Sequence, residues 1–248
     1  MKRLPLIGLL MTMCSLPVTA QEISVAVAAN FTDATRDIIP LFEKATGHSV
    51  KVSFGSTGKL YSQIENGAPF EVFLAADSKR PVKAEDEGLG VKGSRFTYAM
   101  GKLALWSPVA GRFDNAEAYL KKGDFSHVSI ANPKTAPYGL AAKQVMEHLG
   151  VWDKLTDKIV RGDSIAQTFQ FVASGNAQVG FVAMSQVKAW KEGEGSVWDI
   201  PQTYYAPIEQ QAVLLEKGEA NVAAQAFLKF LKSSEARKVI TAYGYGVK

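Results

Sequence analysis

Along this chain, short apolar runs of strand length alternate with longer segments whose apolar residues recur at helical spacing. Residues 23–28 read Ile-Ser-Val-Ala-Val-Ala, and Ile38, Leu41, Phe42 and Ala45 then follow at three- and four-residue intervals, the signature of one buried helix face. The pattern predicts a strand over 23–28, a junction at Ala29-Asn30-Phe31 and a helix over 32–46, with Gly47 where a left-handed C-cap is wanted. A strand over 48–54, a short helix over 60–66 closed by Gly67, a strand over 71–76 and a helix over 79–87 continue the series. Strands alternating with helices imply a mainly parallel sheet, with right-handed crossovers placing helices on both faces.

Residues 96–106 are apolar but too long, and too interrupted by Gly101, for an ordinary strand, so they read as a connector between two lobes. A second series follows: a strand over 127–131, a Pro-bearing junction over 132–139, a helix over 140–149 and a short strand over 158–160. Asp163 and Ser164 then open a helix that runs to Gly175, residues 178–182 form a strand, 185–191 a helix, and 193–196 a loop. Residues 208–215 resemble the first connector and return the chain to the first lobe, which helices over 221–232 and 234–243 complete. Two crossings predict an α/β protein with one lobe of residues 21–104 and 208–248, another of residues 105–207, and a cleft between them.

The start of the chain stands apart from this pattern. Lys2 and Arg3, an apolar run over 4–13 and Val18-Thr19-Ala20 have the three parts of a secretory leader, with cleavage expected after Ala20. The run is too short to span a membrane, and Met13 before Cys14 is too large for a lipid-attachment box. Cys14 is the one cysteine of the 248 residues, so the mature chain is expected to have no disulfide, thiol nucleophile or thiolate metal site. Loss of Lys2 and Arg3 lowers the formal charge from +4 to +2. Near neutrality without basic clusters leaves no footprint for nucleic acid or a membrane surface.

In open α/β sheets, ligands sit beyond the carboxyl ends of the strands, where helix N-termini point. Four junctions share that character: Ala29-Asn30, Gly55-Ser56-Thr57, Ala136-Pro137-Tyr138-Gly139 and Asp163-Ser164-Ile165. Two fall in each expected lobe. The unpaired N–H groups and positive dipole ends of several helices can hold a small dianion without a counter-cation. The competing reading of Ser56 or Thr57 is a helix cap.

Four blocks carry a family resemblance over nearly the whole expected mature chain: Ala28-Ala29-Asn30-Phe31-Thr32, Phe54-Gly55-Ser56-Thr57-Gly58-Lys59-Leu60, residues 67–77 (Gly-Ala-Pro-Phe-Glu-Val-Phe-Leu-Ala-Ala-Asp) and Gly180-Phe181-Val182-Ala183. They resemble the periplasmic molybdate-binding proteins of ABC transporters. The resemblance implies a two-lobed periplasmic binding fold of type II that closes on molybdate or tungstate and delivers it to a membrane permease, acting as a monomer, without a cofactor and without catalysis. Molybdenum enters only as its oxyanion, with no direct ligand to a metal cation. Position by position, Asn30 stands where many members have a serine ligand and Ser56 matches the second-junction serine. Tyr138 and Ile165 fall where the family offers main-chain N–H groups. Ala183 stands where some members carry a tyrosine whose hydroxyl reaches the oxyanion.

Other chemistries fit less well. Ser56-Thr57-Gly58-Lys59, Ser174-Gly175-Asn176 and Lys134-Thr135-Ala136 together imitate a penicillin-binding serine acyl-enzyme, in the wrong order and without the final glycine of the lysine-threonine element. His48, His127 and His148 share no metal-ligand spacing. Asp163 and Ser164 of Arg161-Gly162-Asp163-Ser164 are explained as helix-starting residues, and Tyr243-Gly244-Tyr245-Gly246 as a terminal packing or turn segment. Phe169, Phe171, Trp190 and Trp198 read as core aromatics. A binder of sulfate, phosphate or an amino acid shares the expected fold, although no junction centres on the Arg and acidic pair that an amino acid needs.

Overall fold

The computed structural model describes residues 20–247; the leader expected at the start lies, apart from Ala20, outside the described residues. In chain order the elements are β1 (Glu22–Ala28), α1 (Thr32–Thr46), β2 (Ser49–Gly55), α2 (Thr57–Glu65), β3 (Val72–Leu74), α3 (Lys79–Asp86), β4 (Phe96–Gly101) and β5 (Leu103–Ser107). There follow α4 (Ala116–Lys122), β6 (Val128–Ala131), α5 (Pro137–His148), α6 (Trp152–Leu155), β7 (Ile159–Gly162), α7 (Ile165–Ala173), β8 (Val179–Ala183) and α8 (Met184–Ala189). The chain ends with β9 (Ser196–Asp199), β10 (Ile208–Leu214), α9 (Val222–Phe230) and α10 (Ser234–Ala242).

The strands form two five-stranded sheets, ordered β2-β1-β3-β10-β4 and β7-β6-β8-β5-β9. In the first, β1 pairs in parallel with β2 and β3, while β10 lies antiparallel between β3 and β4. The second repeats this plan, with β6 parallel to β7 and β8, and β5 antiparallel between β8 and β9. Each lobe is therefore an α/β layer structure with one strand running against the others. In each sheet the reversed strand, β10 or β5, is the first strand after a crossing between lobes.

Both faces are covered at the centre of the first sheet, so β1 and β3 are buried on both sides, while the edge strand β2 exposes Ser49, Lys51 and Ser53. Ile23, Val25 and Val27 of β1 pack with Phe31, Ile38 and Phe42 of the α1 side and Phe227 of α9, while Ala26 faces Leu60, Ile64 and Phe73. The stop of α1 is as expected: Gly47 takes φ 73° and its N–H donates to the Glu43 carbonyl at 2.8 Å. In the second lobe Leu103, Leu105, Ile130, Met146, Leu155 and Phe181 share one core. On the far face of the second sheet Trp106 stacks on Phe169 and meets Trp190 edge-on, so Phe169 and Trp190 are packing residues as expected.

Residues 96–106 are two strands rather than one connector. β4 pairs with β10 in the first sheet and β5 with β8 and β9 in the second, so the crossing is confined to Lys102 between them. Leu103 and Ala104, expected at the end of the first lobe, pair in the second sheet. The return crossing likewise precedes β10, which lies wholly in the first sheet. Ser196, expected in a loop, begins β9, and α4 was not expected; Asn115 caps it by accepting from the Ala118 N–H at 2.9 Å. Helix α2 starts at Thr57, three residues before the first apolar residue of its periodic face, so Ser56 occupies its N-cap.

Candidate functional site

All four junctions line one small cavity where the carboxyl ends of the two sheets meet. Its walls are Ala28, Ala29 and Asn30 after β1, Gly55, Ser56 and Thr57 at the start of α2, Ala76 after β3, Ala136, Pro137 and Tyr138 at the start of α5, and Ile165 at the start of α7. Each helix presents the first-turn N–H groups that have no partner inside the helix.

Ser56 decides between capping and binding. It has the extended conformation of an N-cap, φ −68° and ψ 143°, yet its side chain makes no capping bond. Its Oγ is buried and has no hydrogen-bond partner among the described residues. Nor does Thr57 cap: its Oγ1 accepts from the Ala76 N–H at 3.0 Å, tying the second junction to the end of β3. A buried hydroxyl costs free energy unless something bonds to it, so Ser56 Oγ has the environment of a ligand-facing donor.

At α5, Pro137 occupies the first helical position and has no N–H, which makes Tyr138 the first main-chain donor that helix offers. At α7, the Ser164 side chain accepts from the Gln167 N–H, leaving the Ile165 N–H, two residues earlier, for the cavity. Asn30 turns its side chain away. Its Nδ2 donates to Gln210 Oε1 at 2.7 Å and to the Tyr245 hydroxyl at 3.1 Å, and its carbonyl oxygen lies 2.9 Å from Ser185 Oγ and 2.6 Å from the Tyr245 hydroxyl. What Asn30 has left to offer the cavity is its own N–H.

Tyr138 is the one lining residue with an ionisable side chain. Burial, reinforced by the neighbouring Tyr245, Tyr98 and Tyr205, holds its phenol far above the ordinary tyrosine range. Burial does the same for Tyr98 and Tyr245 beneath it. The cavity thus presents neutral donors at neutral pH, and its positive potential comes from helix dipoles.

Around this centre the lobes touch directly. The Gly58 N–H donates to the Thr135 carbonyl at 2.8 Å, so close that a Cβ on Gly58 would fall 2.9 Å from that oxygen. Arg80 Nη2 donates to the Lys134 carbonyl at 3.2 Å, and Lys59 Nζ pairs with Asp163 Oδ2 at 2.7 Å. The acyl-enzyme arrangement is not assembled. Lys59 is engaged with Asp163, and Ser174 and Asn176 lie beyond the opposite end of the nine-residue α7, roughly 13 Å along its axis from Ile165. Arg161-Gly162-Asp163 runs from β7 into this rim, and Asp163 is the partner of Lys59. His48 accepts from the Gln21 N–H and His148 stacks on Tyr204.

Three residues beneath the cavity were not anticipated in any functional role: Gln210, Ser185 and Tyr245. Their bonds to Asn30 span 155 to 215 residues of sequence, and no local pattern marks such pairs. The one signal available is in β10, where Glu209-Gln210-Gln211 interrupts apolar residues and Gln210 has no exposed surface.

The family model described as bacterial extracellular solute-binding protein matches residues 23–246. The chain belongs to that family. Among its relatives, the molybdate-binding protein ModA of Azotobacter vinelandii is 58% identical over 92% of this chain and 91% of its own length. ModA of Rhodobacter capsulatus is 54% identical over 93% and 90%. The solved structure of an Azotobacter vinelandii periplasmic molybdate-binding protein superposes with a TM-score of 0.87 at 43% identity, covering 91% of this chain and 99% of that one. Family and relatives are solute-binding proteins rather than enzymes, and the resemblance read from the four sequence blocks stands. Among the described residues no helix is long and apolar enough to cross a membrane.

Proposed function

We propose that this chain is a periplasmic binding protein that captures molybdate, and tungstate with it, between its lobes and delivers the oxyanion to an ABC permease. The observation that carries this reading is the Ser56 hydroxyl, buried and unpartnered in a cavity onto which helix N-termini converge and which no charged side chain lines. The relatives' names give the oxyanion its identity. In this reading Asn30 and Ser56 bind from the first lobe, and Tyr138 and Ile165 from the second. The leader is removed after Ala20, and the mature chain works in the periplasm as a monomer.

A tetrahedral dianion held by neutral donors is selected by size. A site spaced for molybdate leaves the smaller sulfate short of some donors, and each desolvated bond left unmade is costly. Phosphate is disfavoured further, since no carboxylate lines the cavity to accept the proton it keeps at neutral pH. Ala183 is fully buried and brings no hydroxyl, so the oxyanion does without the bond a tyrosine would supply there. Calorimetry of the mature chain against molybdate, tungstate, sulfate and phosphate tests the proposal: the first two bind tightly and the last two weakly. Binding of sulfate as tight as that of molybdate would replace it with a general sulfate-type carrier.

A further inference from the structure

Resting on that reading, we infer that Ser185 and Tyr245 are positioning residues that latch the lobes together through the main-chain carbonyl of Asn30. Ser185 lies in the first turn of α8 in the second lobe, Asn30 follows β1 in the first, and Tyr245 belongs to the C-terminal segment that runs back against β4. The Met100 N–H donates to the Gly246 carbonyl at 2.7 Å and the Gly246 N–H to the Met100 carbonyl at 3.0 Å, which pins Tyr245 at the crossing between lobes. Ser185 Oγ lies 2.9 Å from the Asn30 oxygen and 2.9 Å from the Tyr245 hydroxyl, which is itself 2.6 Å from the same oxygen. All three residues are buried, with at most 4% of their surface exposed.

The Ser185 bond to Asn30 joins different lobes, and the Tyr245 bond to Asn30 does not; with both hydroxyl protons on that oxygen, the approach of Ser185 Oγ to the Tyr245 hydroxyl is a contact and not a third bond. Tyr245 therefore prepares the acceptor, and Ser185 engages it when the lobes meet. Opening the lobes breaks the Ser185 bond and keeps the Tyr245 bond. The shared carbonyl belongs to a residue whose N–H is assigned to the oxyanion, so the latch fixes the orientation of a donor it does not itself supply. It also favours the closed arrangement without ligand contacts, which raises apparent affinity by enlarging the binding-competent population.

Chase of bound radiolabelled molybdate with unlabelled molybdate, together with small-angle scattering of the unliganded protein, tests this. Ser185→Ala is expected to release molybdate roughly three- to tenfold faster, the range for one hydrogen bond. Its association rate and unliganded melting temperature stay near wild type, and its unliganded radius of gyration rises. Ser185→Thr, which keeps the hydroxyl, restores slow release. Tyr245→Phe and Ser185→Ala combine less than additively, because they act on one acceptor. A merely structural role would lower the melting temperature and leave release unchanged. Wild-type release together with a wild-type radius in Ser185→Ala overturns the latch. If wild-type protein fails to bind molybdate, the functional reading falls, and the scattering comparison alone still decides for or against the latch.

Discussion

Replacing Gly101 by alanine places a methyl group at the point where the two lobes press together. Gly101 is the last residue of β4, immediately before the crossing. A Cβ there would lie 2.3 Å from the Tyr138 hydroxyl oxygen, 3.0 Å from Gln210 Nε2 and 3.0 Å from Ile208 Cγ2. Ordinary contact begins near 3.4 Å, so Tyr138 must retreat by roughly an ångström, as in other overpacked sites. It has little freedom to do so as a side chain, being 1% exposed. The displacement passes to the start of α5, whose first donor is the Tyr138 N–H, or to the angle between the lobes. Overpacking of this kind costs about 1–3 kcal/mol; the contacts with Gln210 and Ile208 lie within the first lobe, but the severest, with Tyr138, exists only when the lobes meet, so the larger part appears as a roughly 5- to 150-fold loss of molybdate affinity. The unliganded fold does not suffer equally, since Gly→Ala lowers the entropy of the unfolded chain by an amount worth about 0.4–1 kcal/mol. Calorimetry with molybdate, paired with melting curves in its absence, separates the two effects. Tyr138→Phe in the same background removes the colliding atom and restores most of the affinity. Alone it is nearly neutral, because that hydroxyl has no hydrogen-bond partner among the described residues. Wild-type affinity in Gly101→Ala, or no relief from Tyr138→Phe, would refute the reasoning.

Three further outcomes follow from the site and its surroundings. Ser56→Ala weakens molybdate by about 1.5–3 kcal/mol, as for a hydrogen bond to a charged partner, with no loss of unliganded stability since Ser56 makes no capping bond; a matched drop in melting temperature would instead mark it as a cap. Lys59→Ala changes affinity by less than about 1 kcal/mol, because both partners of its ion pair with Asp163 are at least half exposed, and the small effect fades at high salt; complete loss of binding would contradict the peripheral role given to Lys59. On the surface, the Tyr61 hydroxyl, followed by Lys83, holds the Glu87 carboxyl below the usual range. Its contribution to stability is present above the unfolded carboxylate pKa and is lost as pH falls through the lower folded value. Wild type and Glu87→Gln should therefore differ in melting temperature near neutrality and converge in acid, and a gap independent of pH would exclude the mechanism.

The junctions were legible because each is a local pattern, in which a strand-length apolar run ends in small or hydroxyl residues before a helical period begins. The four junctions could be singled out on those grounds, the family resemblance pointed to Asn30, Ser56, Tyr138 and Ile165 within them, and the structure gathers these four around one cavity. Whether Ser56 spends its hydroxyl on its own helix was not legible, because a cap and a ligand-facing serine have the same sequence. The split of residues 96–106 into two strands was hidden for another reason: both halves are apolar, and only their pairing to different sheets separates them. Tyr245 and Ser185 left no trace at all. Their neighbours in sequence explain nothing about them, since their partner is Asn30.

The place of β10 has a consequence for the order in which this protein can be made. The second sheet is drawn from one uninterrupted stretch, 103–199, but the first needs β10 between β3 and β4, and its helical cover needs Phe227 and Ile240. A chain emerging from its N-terminus can complete the second lobe while the first still lacks a central strand. Tyr245, which seats Asn30, comes later still, after every strand of both sheets. A chain that has emerged only as far as the second lobe therefore has no competent trap, and capture of an anion waits on β10 and Tyr245.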